Sequence, residues 1–483
     1  MRTSKSRAFT SPSPPMARRP MGFFLVVMVM FGITTTLHGL SPLATYGLGA
    51  LFYLGLAVLG FLIPAGLVAA ELATAWPREG GVYLWVSEAF GENAGFFATW
   101  LQWQQNLIFW TVILTSSAAM LAIGFGASAL AANPWFVVAI VIGTIWLTTL
   151  LSARGLSATG WLGLVGSLAG TVLPGILLVV LTVVSVTGGG ESHLSMDTAT
   201  LVPDLTHAGN LSFAISTIMI FAGVELMGTR ANEIVDPQRT YPRATLVSIL
   251  LTVALLAPVA LSIAVLVPAD ELNIAAGLVQ AVQVAFAQRP DFVWVPAFFA
   301  VALWLDSLGE IAGWMAGTPI SMARAGRDGY LPAALSKRSE KTAAPMLYAQ
   351  AVAGSAICVF FTLIPDVQAL FWLLSALLVQ LYVLMYILLF AAAWRLRYSR
   401  AAQPRPFRIP GGQIGIALTC LIGLGCCVAV FGFGFVRPSS LTQIGEFHYL
   451  GVLTAGLAVS LAMPSALILR RQHRLAAQAR GRG

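Results

Sequence analysis

Three carboxylates stand where a chain can least easily hold them. Glu225, Asp306 and Glu310 lie inside long apolar runs, and Glu71 closes another such run. An ionisable group in apolar surroundings is costly. It marks a substrate or ion site, a proton path, or a hydrogen bond that ties two helices together. Asp306 and Glu310 are four residues apart, so on a helix they share one face about one turn apart. Two carboxylates this close in a low dielectric disfavour double ionisation. One that keeps its proton can carry it, which makes both proton-coupling candidates; the alternative is that each pairs separately with a neighbouring helix.

Glu225 sits in Phe221-Ala222-Gly223-Val224-Glu225-Leu226-Met227-Gly228, where two glycines lower the helical preference of an apolar segment. The first apolar run has a similar weak point, Gly32-Ile33-Thr34-Thr35-Thr36-Leu37-His38-Gly39. Secondary transporters hold substrate where two broken helices face each other near the midplane. There, half-helix N-termini attract a carboxylate, while exposed carbonyls and a nearby acid attract a cation. One break opens the first five apolar runs and the other opens the next five, as a five-plus-five inverted repeat would. Gln102, Gln105 and Asn106 share one face of the third run, and Tyr382 and Tyr386 have four-residue spacing in the tenth. Such residues line an aqueous route or hold helices together. His38, a lone histidine, is read as structural.

The elements that position these residues follow from composition. Of 483 residues, 58% are hydrophobic and 10% charged, against about 25% charged in a soluble domain, and the mean hydropathy is +0.83. A soluble enzyme and a disordered scaffold are excluded, and an all-α integral membrane protein is expected. Runs long enough to span a bilayer, roughly 20 residues each, lie near 21–41, 48–75, 94–124, 134–152, 158–187, 209–229, 243–268, 291–322, 346–364, 368–393, 412–436 and 447–469. That gives about 12 transmembrane helices. The expected organisation is a basic leader 1–20, a first repeat 21–187, an extracytoplasmic loop 188–208, a second repeat 209–393, a basic loop 394–411, two extra helices in 412–469 and a tail 470–483.

The 27 basic residues exceed the 19 acidic ones. All of them except Arg289 and Arg437 fall on one side of the alternating spans. The positive-inside rule then places both termini in the cytoplasm of a multi-pass inner-membrane protein. The excess positive charge therefore calls for no nucleic-acid partner. Cys358, Cys420, Cys426 and Cys427 lie in apolar runs without CxxC spacing and read as core residues. No nucleophile elbow, zinc-protease motif or phosphate loop occurs. No enzymatic activity, cofactor or metal is expected.

Four stretches carry a resemblance. Glu79-Gly80-Gly81-Val82-Tyr83, Asn232-Glu233-Ile234-Val235-Asp236-Pro237-Gln238-Arg239-Thr240-Tyr241-Pro242-Arg243-Ala244, Arg324-Ala325-Gly326-Arg327-Asp328-Gly329-Tyr330-Leu331-Pro332 and Arg405-Pro406-Phe407-Arg408-Ile409-Pro410-Gly411-Gly412 occur in order along the chain. They resemble stretches that follow the second, sixth and eighth helices and precede the eleventh in amino acid–polyamine–organocation permeases. The likeness is greatest to the bacterial glutamate/γ-aminobutyrate antiporter group, through Pro64, Ala69–Thr74, Gly223-Val224-Glu225, Glu310-Ile311-Ala312 and the Tyr382/Tyr386 pair. Two departures stand out: the first break is Thr34-Thr35-Thr36, and Leu164 lies where some sodium-independent relatives carry a lysine.

The resemblance implies a twelve-helix, LeuT-like inverted-repeat fold, alternating access, and substrate between the first, third, sixth, eighth and tenth helices. Glu225, Glu310 and Tyr382 become pocket candidates by position. The expected function is secondary active transport of amino acids or related amines by exchange or proton coupling. The substrate-binding set is Gly32, Ile33, Thr34, Thr35, Thr36, Gln105, Phe221, Ala222, Gly223, Val224, Glu225 and Tyr382, and the partners are a small molecule, protons and the bilayer. The alternatives are a polyamine permease and, from another class, a channel or membrane sensor.

Overall fold

The computed structural model describes residues 21–480 except Gly155, Met196, 204–216, 218–219, Ala222, Gln288, 337–342, 362–366 and 438–444. The basic leader 1–20, the end of the tail (481–483), Ala222 and most of the sixth run's first half lie outside the described residues. Among the described residues there is no strand, only an isolated parallel bridge between Met21 and Ile234. In lipid, every backbone polar group must find its partner within the segment, so an apolar chain of this kind folds as helices.

The first run is broken as its Gly/Thr stretch suggested: α1 is Phe23–Thr34 and α2 is Leu40–Ala44, with Thr35 extended between them. The helices that follow are α3 (Gly49–Ala75), α4 (Gly81–Phe90), α5 (Glu92–Gly124), α6 (Pro134–Ala153) and α7 (Trp161–Thr187). After the partly described sixth run come α8 (Pro237–Leu266), α9 (Gly277–Phe286), α10 (Val295–Arg327), α11 (Ala344–Phe361), α12 (Val367–Ser399), α13 (Gly412–Phe433) and α14 (Glu446–Arg480). Nine helices among the described residues are long and apolar enough to cross a membrane, and three shorter ones are apolar as well. Each of the twelve expected runs has helical residues at its place. The amphipathic α4 and the short α9 were not foreseen. The last helix continues through Arg480, past the expected start of the tail.

Helices α5, α10 and α12 are mostly buried, whereas α13 and α14 expose most of their spanning windows. The middle of the bundle is therefore built by the third, eighth and tenth spans, and the broken segments lie against it. Two of the long helices contain a π-turn, Val58–Leu62 in α3 and Gly166–Val172 in α7. The second of these brings α7 very close to α10. A Cβ added to Gly309 would stand 2.9 Å from Gly166 Cα, and one added to Gly170 would stand 2.6 Å from Asp306 Cβ. Only glycine permits that approach, and it sets Asp306 against α7.

Two of the four motif stretches, the first and the third, latch onto each other. Tyr83 of α4 donates to the Asp328 carboxylate, Ser321 donates to Gly80 O at 3.3 Å, and Arg324 donates to Glu79 O. Glu71 closes α3 and is buried. It accepts from Arg397 at 2.6 Å and from Ile409 N–H at 2.8 Å, and it pairs with Arg405 at 3.3 Å. The Arg405 guanidinium also donates to Leu396 O and lies over the Trp76 ring. Glu71 is thus the anion that fixes the loop between α12 and α13. Removing one partner from a buried ion pair leaves an uncompensated charge and costs about 3–5 kcal/mol. The Glu71→Gln protein is therefore expected to unfold at a lower temperature in detergent, and an unchanged melting curve would contradict this role.

Candidate functional site

Glu225 is fully buried where the sixth run is unwound. Gly223 has φ +106°, a conformation that suits glycine, and a Cβ there would lie 2.6 Å from Ile33 Cγ2 and 3.1 Å from the Trp314 ring. From Leu226 onward the chain forms a 3₁₀ turn, with Leu226 N–H donating to Gly223 O at 2.9 Å. The break frees the Gly223 N–H, which donates to the Tyr382 hydroxyl at 2.6 Å. That hydroxyl donates onward to both carboxylate oxygens of Glu225, at 2.9 and 3.0 Å. Tyr386 donates to Glu225 Oε2, and Gln102 Nε2 donates to Oε1 at 2.7 Å.

Helices α5 and α12 thus converge on Glu225 with three neutral donors. Tyr382 and Tyr386 reach it together because they are one helical turn apart. The Phe61 ring, in the π-turn of α3, sets its edge against Tyr386 at 4.7 Å. The three donors are neutral, so they hold the carboxyl group without supplying a counter-charge. In its ionised form a carboxylate held this way attracts a cationic group more strongly than it would in water.

The two breaks touch. Ile33 meets Gly223, and its Cγ1 also lies 3.2 Å from where a Gly313 Cβ would stand. Around this contact Trp314 packs between Phe109 and Tyr382, with ring centroids at 5.0 and 6.2 Å. Gln105 is buried, and neither its amide nitrogen nor its oxygen has a hydrogen-bond partner among the described residues. Phe221 and Val224 are buried beside the break, and Val224 O accepts from Tyr241 at 3.4 Å.

The threonines of the first break do not converge on Glu225. Thr34 donates back to Met30 O at 2.9 Å, and Thr35 pairs with Thr252 of α8 at 2.7 Å. The Gly32 backbone lies against Ser167 of α7. Adjacent residues of an unwinding segment point in different directions, so the Thr34 and Thr35 hydroxyls bond different neighbours and that of Thr36 is buried with no hydrogen-bond partner among the described residues.

Asp306 and Glu310 form a separate cluster. Thr171 of α7 donates to Asp306 Oδ1, and His38 Nδ1 lies 3.9 Å from Asp306 Oδ2. His38 Nε2 is 3.0 Å from Ser117 Oγ and 3.1 Å from Ser307 Oγ, and those hydroxyls are 2.5 Å apart. The sequence reading missed this role of His38, together with Ser117, Ser307, Thr171 and Trp314. Only the adjacency of Ser307 to Asp306 gave any sign of it. Asn106 turns to Thr318 of α10 at 3.0 Å, a tie between helices.

Comparison with known proteins agrees with this geometry. Residues 22–457 match the family described as amino acid permease. The chain is 34% identical to an uncharacterized transporter of Legionella pneumophila, covering 93% of this chain and 96% of that one. It is 27% identical to the glutamate/gamma-aminobutyrate antiporter of Lactococcus lactis, over 92% of this chain and 88% of the relative. It is 26% identical to a protein of the same organism named as a probable agmatine/putrescine antiporter, over 82% and 84%. Antiport and amine or amino acid cargo are thus named among the relatives. The residues at the broken helices and the extent of the match lead to one conclusion: the chain belongs to the amino acid permease family of the amino acid–polyamine–organocation superfamily and is a multi-pass membrane transporter.

Proposed function

We propose that this transporter moves amino acids or related amines by alternating access, as an antiporter or with protons. One observation carries the reading: a buried carboxylate, Glu225, held by neutral donors at the contact between two broken helices. In this reading the substrate's ammonium group sits near Glu225. Its carboxylate takes the backbone donors of the breaks, and Gln105 and Trp314 line the side-chain space. Asp306 and Glu310 carry the linked proton. The basic loops and both termini face the cytoplasm, in keeping with the distribution of lysine and arginine.

A second reading, a polyamine permease, is favoured by the presence of three buried carboxylates near the first break and by the relative named as an agmatine/putrescine antiporter. Liposomes preloaded with single amino acids or with putrescine distinguish the two. Labelled uptake that accelerates only with internal α-amino acid supports the first, and acceleration by putrescine alone supports the second.

Three variants test the assignments. Loss of a buried charged partner costs about 2–5 kcal/mol of binding, so Glu225→Gln is expected to lower uptake at limiting substrate at least ~30-fold with unchanged size-exclusion and circular-dichroism profiles. Unchanged uptake would remove Glu225 from the site. Gly223→Ala places a methyl group against Ile33 at an unfavourable φ, a strain of about 1–3 kcal/mol. Reduced thermal stability together with lost uptake is expected, and normal uptake would show that the break is not needed. For Asp306→Asn, uptake driven by an imposed pH gradient should disappear while exchange at equal pH persists; a retained gradient response would assign the proton elsewhere.

A further inference from the structure

His38, Asp306 and Glu310 are 1%, 2% and 3% exposed. One potential ligand atom from each lies within 4.8 Å of the other two. They come from the end of the first break and from two successive turns of α10, and Gly170 permits the close approach of α7 behind Asp306. Among the described residues, His38 Nδ1, Asp306 Oδ2 and Glu310 Oε2 have no hydrogen-bond partner. The 3.9 Å between His38 Nδ1 and Asp306 Oδ2 is too long for a hydrogen bond.

The outer atoms of the cluster are held in place. His38 Nε2 rests on the Ser117 and Ser307 hydroxyls, and Asp306 Oδ1 accepts from Thr171. With the imidazole proton on Nε2, donated to the serine pair, the Nδ1 lone pair is left free beside the two carboxylates. Three Lewis bases gathered in a buried setting repel one another unless a proton or another cation lies between them.

We propose that His38, Asp306 and Glu310 form a binding site for a divalent first-row transition metal ion of the zinc or manganese class. The donor set selects the class. Two carboxylates match the charge of a divalent ion and suit manganese, and an imidazole nitrogen suits zinc or iron, whereas magnesium and calcium are held by oxygen ligands. The hydroxyls on Nε2 fix the tautomer and aim the ring, as outer partners of a metal-bound histidine do. Zinc bonds of 2.0–2.1 Å put neighbouring ligands about 3.3 Å apart, so binding draws the three side chains inward by a fraction of an ångström to about one. Because all three are buried, the ion enters and leaves only as the helices move apart.

The inference rests on the linked-cation role given to Asp306 and Glu310 above and adds His38 and a second kind of cation, which competes with the proton. It departs from the sequence reading, which expected no metal.

The test uses the full-length protein in detergent, stripped with EDTA and dialysed. Zinc, manganese and magnesium are titrated by equilibrium dialysis until binding is constant. Cobalt absorption then reports the ligand type. Saturable binding of one zinc or manganese per chain is expected, with visible bands from cobalt and none of this with magnesium. His38→Gln and Asp306→Asn are each expected to weaken binding at least about tenfold. Absence of saturable binding or of cobalt bands in the wild-type protein would overturn the proposal. So would binding that both variants retain, which would assign the ion to surface histidines. If a variant does not fold, the cobalt spectrum and stoichiometry of the wild-type protein still decide. Transport in liposomes is read separately: transport without metal binding defeats this inference alone, and metal binding without transport defeats the transport reading alone.

Discussion

A helix broken inside a membrane must have its freed backbone groups satisfied by something other than water. The structure depends on how this is done at Gly223. The Tyr382 hydroxyl accepts the Gly223 N–H, and the same hydroxyl donates to Glu225. Unwinding and carboxylate are therefore one unit. The break needs the tyrosine, the tyrosine needs an acceptor, and the acceptor is the buried acid two residues further along the same segment. Tyr386 and Gln102 complete the shell with neutral donors, so no fixed counter-charge occupies the carboxyl group. A lysine or arginine among these partners would have stabilised the bundle and neutralised the site.

The Gly32–Gly39 stretch joins the two polar clusters. Ile33 lies against Gly223 and Gly313, and His38 lies beside Asp306, Ser117 and Ser307. Within a few residues, one segment thus touches both the break that carries Glu225 and the acidic pair on α10. A tilt of this segment changes both contacts at once, which is the physical form that coupling between a substrate and a second cation would take. Glycines at 166, 170 and 309 keep α7 close to α10, so Asp306 does not follow such a tilt freely.

Much of the architecture was legible because lipid leaves a chain few options. Apolar runs of spanning length, two Gly-rich weak points and misplaced carboxylates can all be read one residue at a time. The four motif stretches were recognisable in the sequence, and their physical work became clear only in three dimensions. Tyr83 serves Asp328, and Glu71 serves Arg397, Arg405 and the Ile409 amide. Helix α4 was missed because, at 10 residues, it is too short to stand out among runs of spanning length. The directions of Thr34, Thr35 and Thr36 could not be read, since the geometry of an unwinding segment is not periodic. His38 looked like an isolated core histidine because its neighbours, Ser117, Ser307 and Asp306, lie far away in the chain. Pairing across such distances leaves no local pattern.

Glu225 as the reader of a substrate amine is the central claim, and binding by the wild-type protein tests it most directly. Ligand-induced thermal stabilisation of the purified transporter would be measured with a panel of amino acids beside the corresponding acids in which hydrogen replaces the amino group. The account predicts that at least one amino acid raises the melting temperature in a saturable manner and that its deaminated counterpart does not. Equal stabilisation by the two would contradict it.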